Sequence, residues 1–367
     1  MQIKEHAPLL PYTSFYIGGP CRYLIYAQTS QEIVEATRFA QTKNLPLLVF
    51  GGGSNLLVSD AGFSGVAVRV ETVGMDIINE TATELELKVA SGEVWDDVVR
   101  SACEENWWGI ENLSHIPGFA GAFAVQNVGA YGQEASSVVL GVEVLDRRDL
   151  STQSLTLADL RFGYRRSIFN SIAKDRYVIL HTILRLQKNG QPNLSYGDLA
   201  ERFAGQTPSI QEVRRAVIEI RNQKFPYPNK PTRGNAGSFF RGKLLSGREF
   251  SMLEQTLAEQ FGAKVRQRLT AMQDRLRVPQ GFKTPVAFLI ELCVGKDLVV
   301  GGARINSNQP AIIINYSGQA TASDVLQLFR QVRAEVFNQT RIQLEVEPEL
   351  IGFPKHEIAD LKFNNQD

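Results

Sequence analysis

The sequence is poor in cysteine, has no long apolar run and carries no excess of charge of either sign. Its three cysteines, Cys21, Cys103 and Cys293, lie far apart and form no C-x-x-C pair, which fits a reducing compartment better than a disulfide framework. The 39 basic and 39 acidic residues cancel, so the overall charge does not favour nucleic acid or an anionic membrane as partner. Residues 1–11 lack the apolar core of a signal peptide, and no segment approaches transmembrane length. We therefore expect a cytoplasmic protein.

The length of 367 residues predicts two to three domains, each with enough apolar residues to bury a core. Thr29 and Glu32 have the spacing of a capping box, which predicts a helix from there to about Asn44. Apolar runs and alternating stretches predict strands at 47–50, 66–70, 85–90 and 177–186, and helical spacing predicts helices over 94–102 and 211–223. This succession indicates the α+β class.

The composition changes at Lys224–Pro231, where three prolines fall in eight residues, and this change marks the predicted start of a last domain. There we expect helices over 251–276 and 286–292, the second N-capped by Thr284 with Pro285 in its first turn. An amphipathic helix is predicted over 325–336 and strands at 311–314 and 342–346. Alternation in the last strand places Gln343, Glu345 and Glu347 on a polar face. The same parity would place Glu349 on that face.

Residues Gly234–Phe240 form a run of small residues that ends in a hydroxyl, Ser238, backed by two phenylalanines. Glycine lets the chain adopt backbone angles closed to other residues and approach a ligand closely, and the aromatic rings can pin the loop to a core. The hydroxyl could be a nucleophile, a proton donor or a hydrogen-bond donor. The alternative is a tight turn over an aromatic cluster.

A second glycine-rich segment, Gly51–Asn55, follows a predicted strand. Consecutive amides without side chains can form a nest for phosphate oxygens, and Ser54 and Asn55 add side-chain donors. The segment lacks both the G-x-G-x-x-G spacing of a Rossmann turn and the Gly-Lys-Ser/Thr of a Walker loop. A phosphate site and a plain strand-ending turn both remain open.

A third segment, Ile116–Gly132, contains four glycines among its 17 residues and almost no charge. It can neither form a long stable helix nor persist as a solvated loop, so we expect it to line a large planar apolar ligand. Gln126 and Asn127 would supply directional hydrogen bonds. The alternative, a buried loop without a ligand, would leave many amides in need of partners.

These three segments follow one another along the chain as Gly51–Asn55, Ile116–Gly132 and Gly234–Phe240, with Phe162–Arg165 between the second and the third. Their order and spacing resemble the UDP-N-acetylenolpyruvoylglucosamine reductase family over nearly the whole chain. Tyr196–Asp198 is similar to the tyrosine loop of the subtype with a substrate-covering lid. The resemblance implies a vanillyl-alcohol-oxidase-type FAD-binding domain joined to a C-terminal substrate domain of sheet and helices. The expected limits are 1–70 and 71–223 for two flavin-binding subdomains, the second with the tyrosine loop near 190–198, and 224–367 for the substrate domain, whose last strand-end residues return to the active site.

The same resemblance implies FAD as cofactor, NADPH as hydride source and UDP-N-acetylglucosamine enolpyruvate as substrate, with UDP-N-acetylmuramate as product. This would be a cytoplasmic step of peptidoglycan precursor synthesis, carried out by a monomer without a metal ion. No histidine lies within the two flavin segments, so we expect non-covalent FAD, with the bordering His115 as the exception to test. The alternatives are an oxidase of the same fold that uses oxygen, and a flavin-binding protein without catalysis.

Hydride delivery to the enolpyruvyl group leaves an enolate, which needs a cation and then a proton. By resemblance Arg165 stabilises this enolate, Ser238 delivers the proton and Glu349 assists. The residues implied to contact FAD are Gly51, Gly52, Gly53, Ser54, Asn55, Pro117, Gly118, Gly121, Ala122, Gln126, Asn127, Gly129, Ala130, Tyr131 and Gly132. Those implied to contact the sugar nucleotide are Tyr164, Tyr196, Lys224, Asn235 and Gln309.

Several positions depart from the family's pattern. Arg166 stands where relatives commonly have an acidic residue, and Phe240–Lys243 reads Phe-Arg-Gly-Lys instead of Phe-Lys-Asn-Pro. Asn306 stands where a histidine is usual, and Ala122–Ala124 lacks a usual hydroxyl residue and proline. Residues 262–280 form a basic, helical insertion, for which we expect a solvated surface and assign no function.

Overall fold

The structure is a computed structural model that describes residues 1–361, and its chain divides into two compact units. The first unit comprises Met1–Pro8, Pro20–Gly53 and Phe63–Gln223. The second comprises Leu9–Gly19, Ser54–Gly62 and the chain from Lys224 onward. The second unit thus takes two short segments from the amino-terminal part of the sequence, whereas the predicted domains are contiguous ranges. The predicted domain limits themselves stay a prediction.

The first unit begins with a four-stranded sheet covered by one helix. Its strands lie in the order Gln2–Pro8, Pro20–Ala27, Phe63–Val70 and Leu47–Phe50. The helix Ser30–Thr42 packs Ile33, Ala36 and Ala40 against this sheet. Its N-cap is Thr29, whose hydroxyl accepts a hydrogen bond from the Glu32 amide, as the capping-box spacing predicts.

The rest of the first unit is built on a five-stranded antiparallel sheet. Its strands lie in the order Thr152–Thr156, Val139–Asp146, Tyr177–Gln187, Glu84–Ala90 and Met75–Glu80. The helices of this part are Trp95–Glu104, Ala120–Phe123, Leu157–Leu160, Gly197–Arg202 and Ile210–Lys224. The predicted strands at 85–90 and 177–186 and the predicted helices over 94–102 and 211–223 are confirmed within one or two residues.

The second unit consists of short sheets and helices around one large apolar core. Its paired strands are Leu56–Val58 with Glu349–Ile351, and Phe240–Gly242 with Leu344–Val346. Two three-stranded sheets follow, Leu244–Leu245 with Gly281–Lys283 and Arg277–Val278, and Val299–Val300 with Ala303–Ile305 and Ile313–Asn315. The helices are Gly247–Phe261, Ala263–Ala271, Gln273–Leu276, Val286–Cys293, Ala322–Thr340 and Lys355–Ile358.

The prediction of one continuous helix over 251–276 is wrong. The chain forms three helices there, because Gly262 has a φ of +86° and ends the first of them. A positive φ interrupts an α-helix, and glycine is the residue that adopts it most easily. The basic insertion is mostly exposed, as expected, while Leu269 is buried in the core of the unit.

Two local predictions in the second unit are also wrong. The helix Val286–Cys293 has Pro285, not Thr284, at its N-cap, because the Thr284 hydroxyl donates to the Lys243 carbonyl instead. Glu345 is buried rather than on a solvated polar face, since it lies directly across the strand pair from Arg241 and forms an ion pair with it. The strand ends at Val346, so its parity cannot be carried on to Glu349.

Cys21 and Cys103 are buried, Cys293 is half-buried, and all three are free thiols. Burial raises the pKa of Cys21 to about 11 and those of Cys103 and Cys293 to about 12, which suits cysteines with a packing role. Within residues 1–361, every helix is too short or too polar to cross a bilayer.

Candidate functional site

Two glycine-rich stretches of the first unit, Gly51–Gly53 and Ile116–Gly132, pack directly on each other. A Cβ at Gly51 would lie 2.8 Å from the Phe119 Cβ, and one at Gly52 would lie 3.1 Å from the Gly118 Cα. These approaches leave no room for a side chain. Gly53 has a φ of +60°, so its conformation also favours glycine. The structure therefore brings the two predicted cofactor segments together through close backbone packing.

The second segment is held from behind by the sheet and by a neighbouring helix. Its short helix Ala120–Phe123 stacks Phe123 on Trp95 with ring centroids 3.8 Å apart. A Cβ at Gly121 would lie 2.6 Å from the Ser91 side chain. The other predicted cofactor residues of the segment are half-buried or exposed: Pro117, Gly118, Ala122, Gln126, Gly129, Ala130 and Gly132. One side of the segment is fixed by packing while the other stays accessible to a ligand.

Asn127 has an internal role that the sequence does not reveal. It is buried, with a φ of +48°. Its Nδ2 donates to the Gly163 carbonyl at 3.1 Å, and its Oδ1 accepts from the Ser136 amide at 2.9 Å. The side chain thereby joins the glycine-rich segment Ile116–Gly132, the predicted flavin segment, to the turn that carries Arg165. Gln126 is half-buried next to it.

Arg165 lies in a tight turn whose ends are bonded to each other. The amide of Gly163 donates to the Arg166 carbonyl and the Arg166 amide donates back, at 2.9 and 3.1 Å. Arg165 has a φ of +53°, and its carbonyl accepts from the Asn170 side chain at 3.0 Å. Its Nη1 donates to the Gly129 carbonyl at 3.3 Å. The structure therefore brings Arg165, beside the half-buried Tyr164, against the flavin segment.

The tyrosine loop also meets this segment. Tyr196 is 42% exposed, and its ring packs edge-on to Tyr131 with centroids 5.3 Å apart. Tyr131 is buried, and this burial raises the pKa of its hydroxyl to about 12. Tyr131 therefore stays protonated at neutral pH. The exposed Tyr196 is the member of the pair available to a ligand.

His115, which borders the flavin segment, is held within the protein. Its Nε2 lies 3.1 Å from the Asn222 Oδ1, and its amide donates to Asp96. Burial lowers the pKa of the ring. The carbonyl of His115 accepts from Arg221 at 3.0 Å.

In the second unit, Ser238 follows a loop whose aromatic residues are anchored in the core. Phe239 and Phe240 are at most 2% exposed, and both rings contact Phe329. The Phe239 amide donates to the Ala311 carbonyl at 2.7 Å, and Ser238 forms a β-bridge with Ile312. Ser238 itself is half-buried. The expected pinning of the loop by its phenylalanines is confirmed.

Asn235 organises this loop. Its Nδ2 donates to the carbonyls of Pro226 and Arg233, both at 2.9 Å, and its Oδ1 accepts from the Gly237 amide at 3.0 Å. The side chain is buried, and all its atoms that can donate or accept already have internal partners. These bonds fix the shape of the loop, and the contact of Asn235 with the substrate stays a prediction.

Lys224 and Gln309 are linked to the Ser238 segment through Asn306. The Asn306 Nδ2 donates to the Lys224 carbonyl at 3.0 Å, and the Asn306 amide donates to the Ile312 carbonyl at 2.9 Å. Gln309 closes the intervening turn, since its carbonyl accepts from the Ile312 amide at 3.0 Å. Lys224 is the last residue of its helix. The structure thus connects these two predicted substrate residues with the strand that pairs with Ser238.

Glu349 begins a strand that runs parallel to Leu56–Val58, immediately after the first glycine loop. The Glu349 amide donates to the Asn55 carbonyl at 2.9 Å. Ser54, Asn55 and Glu349 are half-buried. The backbone of a predicted catalytic residue is therefore bonded to that of a predicted flavin residue, Asn55, although almost 300 positions separate them in the sequence.

Several residues that hold these segments escape sequence reasoning. Asn315 is fully buried, and its side chain bonds to Phe15, Tyr16 and Ala320 while its amide donates to Gly234. Asn112 is equally buried beneath the flavin segment. A polar residue within an apolar stretch is the one signal that could point to such positions, and it does not identify their partners.

Comparisons with known protein families agree with this arrangement. Residues 21–149 match the family described as FAD binding domain. Residues 228–351 match the family described as UDP-N-acetylenolpyruvoylglucosamine reductase, C-terminal domain. The fold and the two glycine segments therefore define the class of FAD-containing oxidoreductases, and the expected combination of an FAD-binding domain with a C-terminal domain in an α+β chain is confirmed.

Similar proteins with assigned names show to which family of this class the chain belongs. The UDP-N-acetylenolpyruvoylglucosamine reductase of Neisseria meningitidis is 34% identical over 353 residues, which cover 94% of this chain and 96% of the relative. The enzymes of that name from Streptomyces coelicolor and Pseudomonas aeruginosa are 36% and 32% identical, over 96% and 95% of this chain and 91% and 99% of their own lengths. The chain belongs to the UDP-N-acetylenolpyruvoylglucosamine reductase family.

A solved structure shows the same fold. The crystal structure of UDP-N-acetylenolpyruvylglucosamine reductase from Thermus caldophilus matches with a TM-score of 0.65 and 24% identity, over 96% of this chain and 99% of that one. The likeness extends over both units and concerns the fold alone.

Proposed function

We propose that this chain reduces UDP-N-acetylglucosamine enolpyruvate to UDP-N-acetylmuramate with NADPH, as a cytoplasmic, monomeric enzyme of peptidoglycan precursor synthesis. Identity of 32 to 36% to reductases of that name over nearly the full length supports the reaction. The structural observation that carries the proposal is the rigid presentation of Ser238 on a loop fixed by Phe239 and Phe240. When bound, FAD supplies a carrier that takes a hydride from NADPH and passes it to the sugar nucleotide.

The backbone surface of the first unit suits FAD. Gly51 and Gly52 pack closely on Phe119 and Gly118, and consecutive amides without side chains suit the phosphates of a dinucleotide. We assign the whole set of predicted flavin residues to this role, with Asn127 acting through its bonds to Gly163 and Ser136. Non-covalent binding is supported by His115, whose Nε2 already pairs with Asn222.

Arg165 is proposed to stabilise the enolate that follows hydride delivery. A fixed cation stabilises a developing negative charge most when it needs no reorganisation. The bonded turn Gly163–Arg166 and the contact of Arg165 with Gly129 support such pre-organisation. Arg166, which replaces the family's usual acidic residue, is exposed and adds positive charge nearby.

Ser238 is proposed to deliver the proton that quenches the enolate at the carbon beside the carboxylate. An unperturbed hydroxyl is a weak acid, so its proton loss must be eased by nearby positive charge or relayed onward. Glu349 is proposed to assist at the enolate or in the proton relay. Its anchoring to Asn55 through the backbone supports a defined position for its carboxyl group.

The diphosphate of the sugar nucleotide needs local cations and donors, because the chain has no net charge. Lys224 and Tyr196 are proposed for this role. Lys224 ends its helix and is tied to Asn306, and Tyr196 is exposed beside Tyr131. Tyr164, Gln309 and Asn235 are proposed to contact the substrate, and Asn235 also keeps the Ser238 loop in shape.

The test is the substitution Ser238→Ala in the FAD-loaded protein. Reduction of the flavin by NADPH should survive, because it needs no proton from Ser238. Reoxidation by the enolpyruvyl sugar nucleotide should fall by about 100-fold or more, the usual size of a lost general-acid step. Both half-reactions are followed by flavin absorbance in anaerobic stopped flow.

A matched control is Ser246→Ala, which removes an exposed helix N-cap of the second unit and costs about 1 kcal/mol of stability. Both half-reactions should keep their rates in this variant. Unchanged turnover in Ser238→Ala would contradict the proposed proton donor. Rapid reoxidation of the wild type by air without any sugar nucleotide would instead favour an oxidase, an activity that the names of the relatives do not support.

A further inference from the structure

Below the tyrosine loop lies a polar cluster, which we call the Asn193 junction. It consists of the buried residues Glu111, Asn112 and Gln133 and the half-buried Asn193. Asn112 is fully buried. Its Nδ2 donates to two carbonyls, that of Tyr131 at 2.7 Å and that of Asn193 at 2.8 Å. The first carbonyl belongs to the flavin segment and the second to the tyrosine loop. One side chain thus joins the two segments.

Glu111 and Gln133 hold the backbone of Asn112. The Asn112 backbone amide donates to the Gln133 Oε1 at 3.0 Å, and the Gln133 Nε2 donates to the Glu111 Oε1 at 2.7 Å. The other carboxyl oxygen of Glu111 accepts from the Gly109 amide at 2.7 Å. Burial raises the pKa of this carboxyl group. The junction therefore holds the Asn193 carbonyl through a side chain, Asn112, whose own backbone is tied to Gln133 and, through it, to Glu111.

The Asn193 side chain continues the connection toward Tyr196. Its Nδ2 donates to the Gly132 carbonyl at 3.0 Å, and its Oδ1 accepts from the amide and hydroxyl of Ser195 at 3.1 and 2.6 Å. Ser195 directly precedes Tyr196, and a Cβ at Gly132 would lie 2.9 Å from the Ser195 Oγ. The loop is fixed at its base, three residues or fewer from Tyr196, while Tyr196 itself remains exposed.

We propose that Asn112 and Asn193 are positioning residues that hold the tyrosine loop on the end of the flavin segment and so set the place from which Tyr196 meets the sugar nucleotide. The inference rests on the proposed function for that contact. Loss of the junction should weaken sugar-nucleotide binding and leave the reduction of FAD by NADPH unchanged. The two half-reactions can therefore be used to test the inference separately. Pre-organised loops bind better because less ordering remains to be done on binding.

The first test measures the loop and does not depend on activity. Asn112→Leu and Asn193→Ala each remove hydrogen bonds of the junction, the second close to the surface where the fold is least affected. Chymotrypsin should cleave after Tyr196 in the FAD-loaded variants about tenfold faster than in the wild type, because local opening is easier. Thr37→Val is the matched control, since it removes a buried hydrogen bond to Ile33 in another part of the same unit. Equal cleavage rates in all four proteins would overturn the junction.

The second test is a double-mutant cycle with Tyr196→Phe. Asn112→Leu should raise the KM for the enolpyruvyl sugar nucleotide by about tenfold, as expected for one or two lost hydrogen bonds, and leave the rate of flavin reduction by NADPH unchanged. If Asn112 acts through Tyr196, the fold-increase in KM of the double variant will be smaller than the product of the fold-increases of the two single variants. Effects that multiply would overturn the inference. Failure of the wild type to use the sugar nucleotide would refute the proposed function instead, and the cleavage rates would still decide the junction.

Discussion

Two glycines of the Ser238 loop are required for different reasons. A Cβ at Gly234 would lie 2.3 Å from the Phe15 carbonyl oxygen, so this position is closed by the approach of another backbone segment. Gly237 has open space around it, but its φ is +70°. Glycine adopts such a φ without the clash between Cβ and the following carbonyl. The sequence pattern indicates permissive residues here, and the structure separates a steric requirement from a conformational one.

This difference predicts unequal costs for two similar substitutions. Gly237→Ala should lower the free energy of unfolding by about 1–2 kcal/mol, the strain of one residue in the left-handed region. Gly234→Ala should lower it by about 3 kcal/mol or more, because the backbone near Phe15 has to move. Urea unfolding at pH 7 measures both. Equal losses in the two variants would contradict the assignment of separate causes.

At the scale of elements, Asp96 links two helices of the first unit. It lies in the first turn of the helix Trp95–Glu104 and accepts two hydrogen bonds, of 2.7 and 3.0 Å, from Arg214 of the helix Ile210–Lys224. Burial opposes ionisation of Asp96, but Arg214 and the His115 amide outweigh it and lower the pKa of the carboxyl group. A carboxyl group with a lowered pKa contributes stability above its unfolded pKa and loses it as the pH falls through its folded pKa.

Asp96→Asn should therefore destabilise the protein by about 2 kcal/mol at pH 7, since it leaves Arg214 without a charged partner. The difference from the wild type should begin to shrink below about pH 4, where the Asp96 carboxyl group of the unfolded chain takes up its proton, and should go on shrinking as the pH falls through the lower pKa of the folded state. Urea unfolding at a series of pH values measures this difference.

The neighbouring residue provides the control for Asp96. Asp97 pairs with Arg100 on the surface, where both side chains are 53% exposed, and exposed pairs of this kind contribute about 0–1 kcal/mol. Asp97→Asn should therefore have a small effect at every pH. A constant difference between Asp96→Asn and wild type from pH 7 to pH 3 would show that the charge of Asp96 is not the cause.

Helices and strands with strong local signals are predictable from the sequence, and others are not. The helix Ser30–Thr42 has its cap, its apolar spacing and its end within a few residues of one another. Thr284 has an equally good local signal, yet its hydroxyl bonds to Lys243, 41 positions away in the sequence. Glu345 is drawn into the interior by Arg241 of the paired strand. Local patterns fail where a distant partner offers a better bond.

At the scale of the whole molecule, the surface proposed for FAD belongs to the first unit and depends on close packing between Gly51 and Phe119. A ligand that binds only the folded state adds stability in proportion to the logarithm of its concentration over its Kd. FAD at 100 times its Kd should therefore stabilise the protein by about 2.7 kcal/mol. Thermal unfolding at increasing FAD concentrations measures this gain.

Gly51→Ala should reduce this stabilisation, because its Cβ would displace Phe119 from the surface. The matched control is Gly247→Ala, since Gly247 has open space around its Cα and no positive φ. The control should keep the full FAD-dependent gain. If both variants respond to FAD like the wild type, the packing of Gly51 on Phe119 is not needed for the cofactor site.

The sequence by itself determined the α+β class, the main helices and strands, and the family to which the chain belongs, because these depend on local periodicity and on short motifs in a particular order. It also indicated the glycine segments and the loop before Ser238. Only the tertiary structure decided that Gly51 packs on Phe119, that Glu349 pairs with the strand after Asn55, and that Asn112 donates to the Asn193 carbonyl. These relations join residues tens to hundreds of positions apart, and hydrogen bonds and packing at such separations leave no periodic trace in a single sequence.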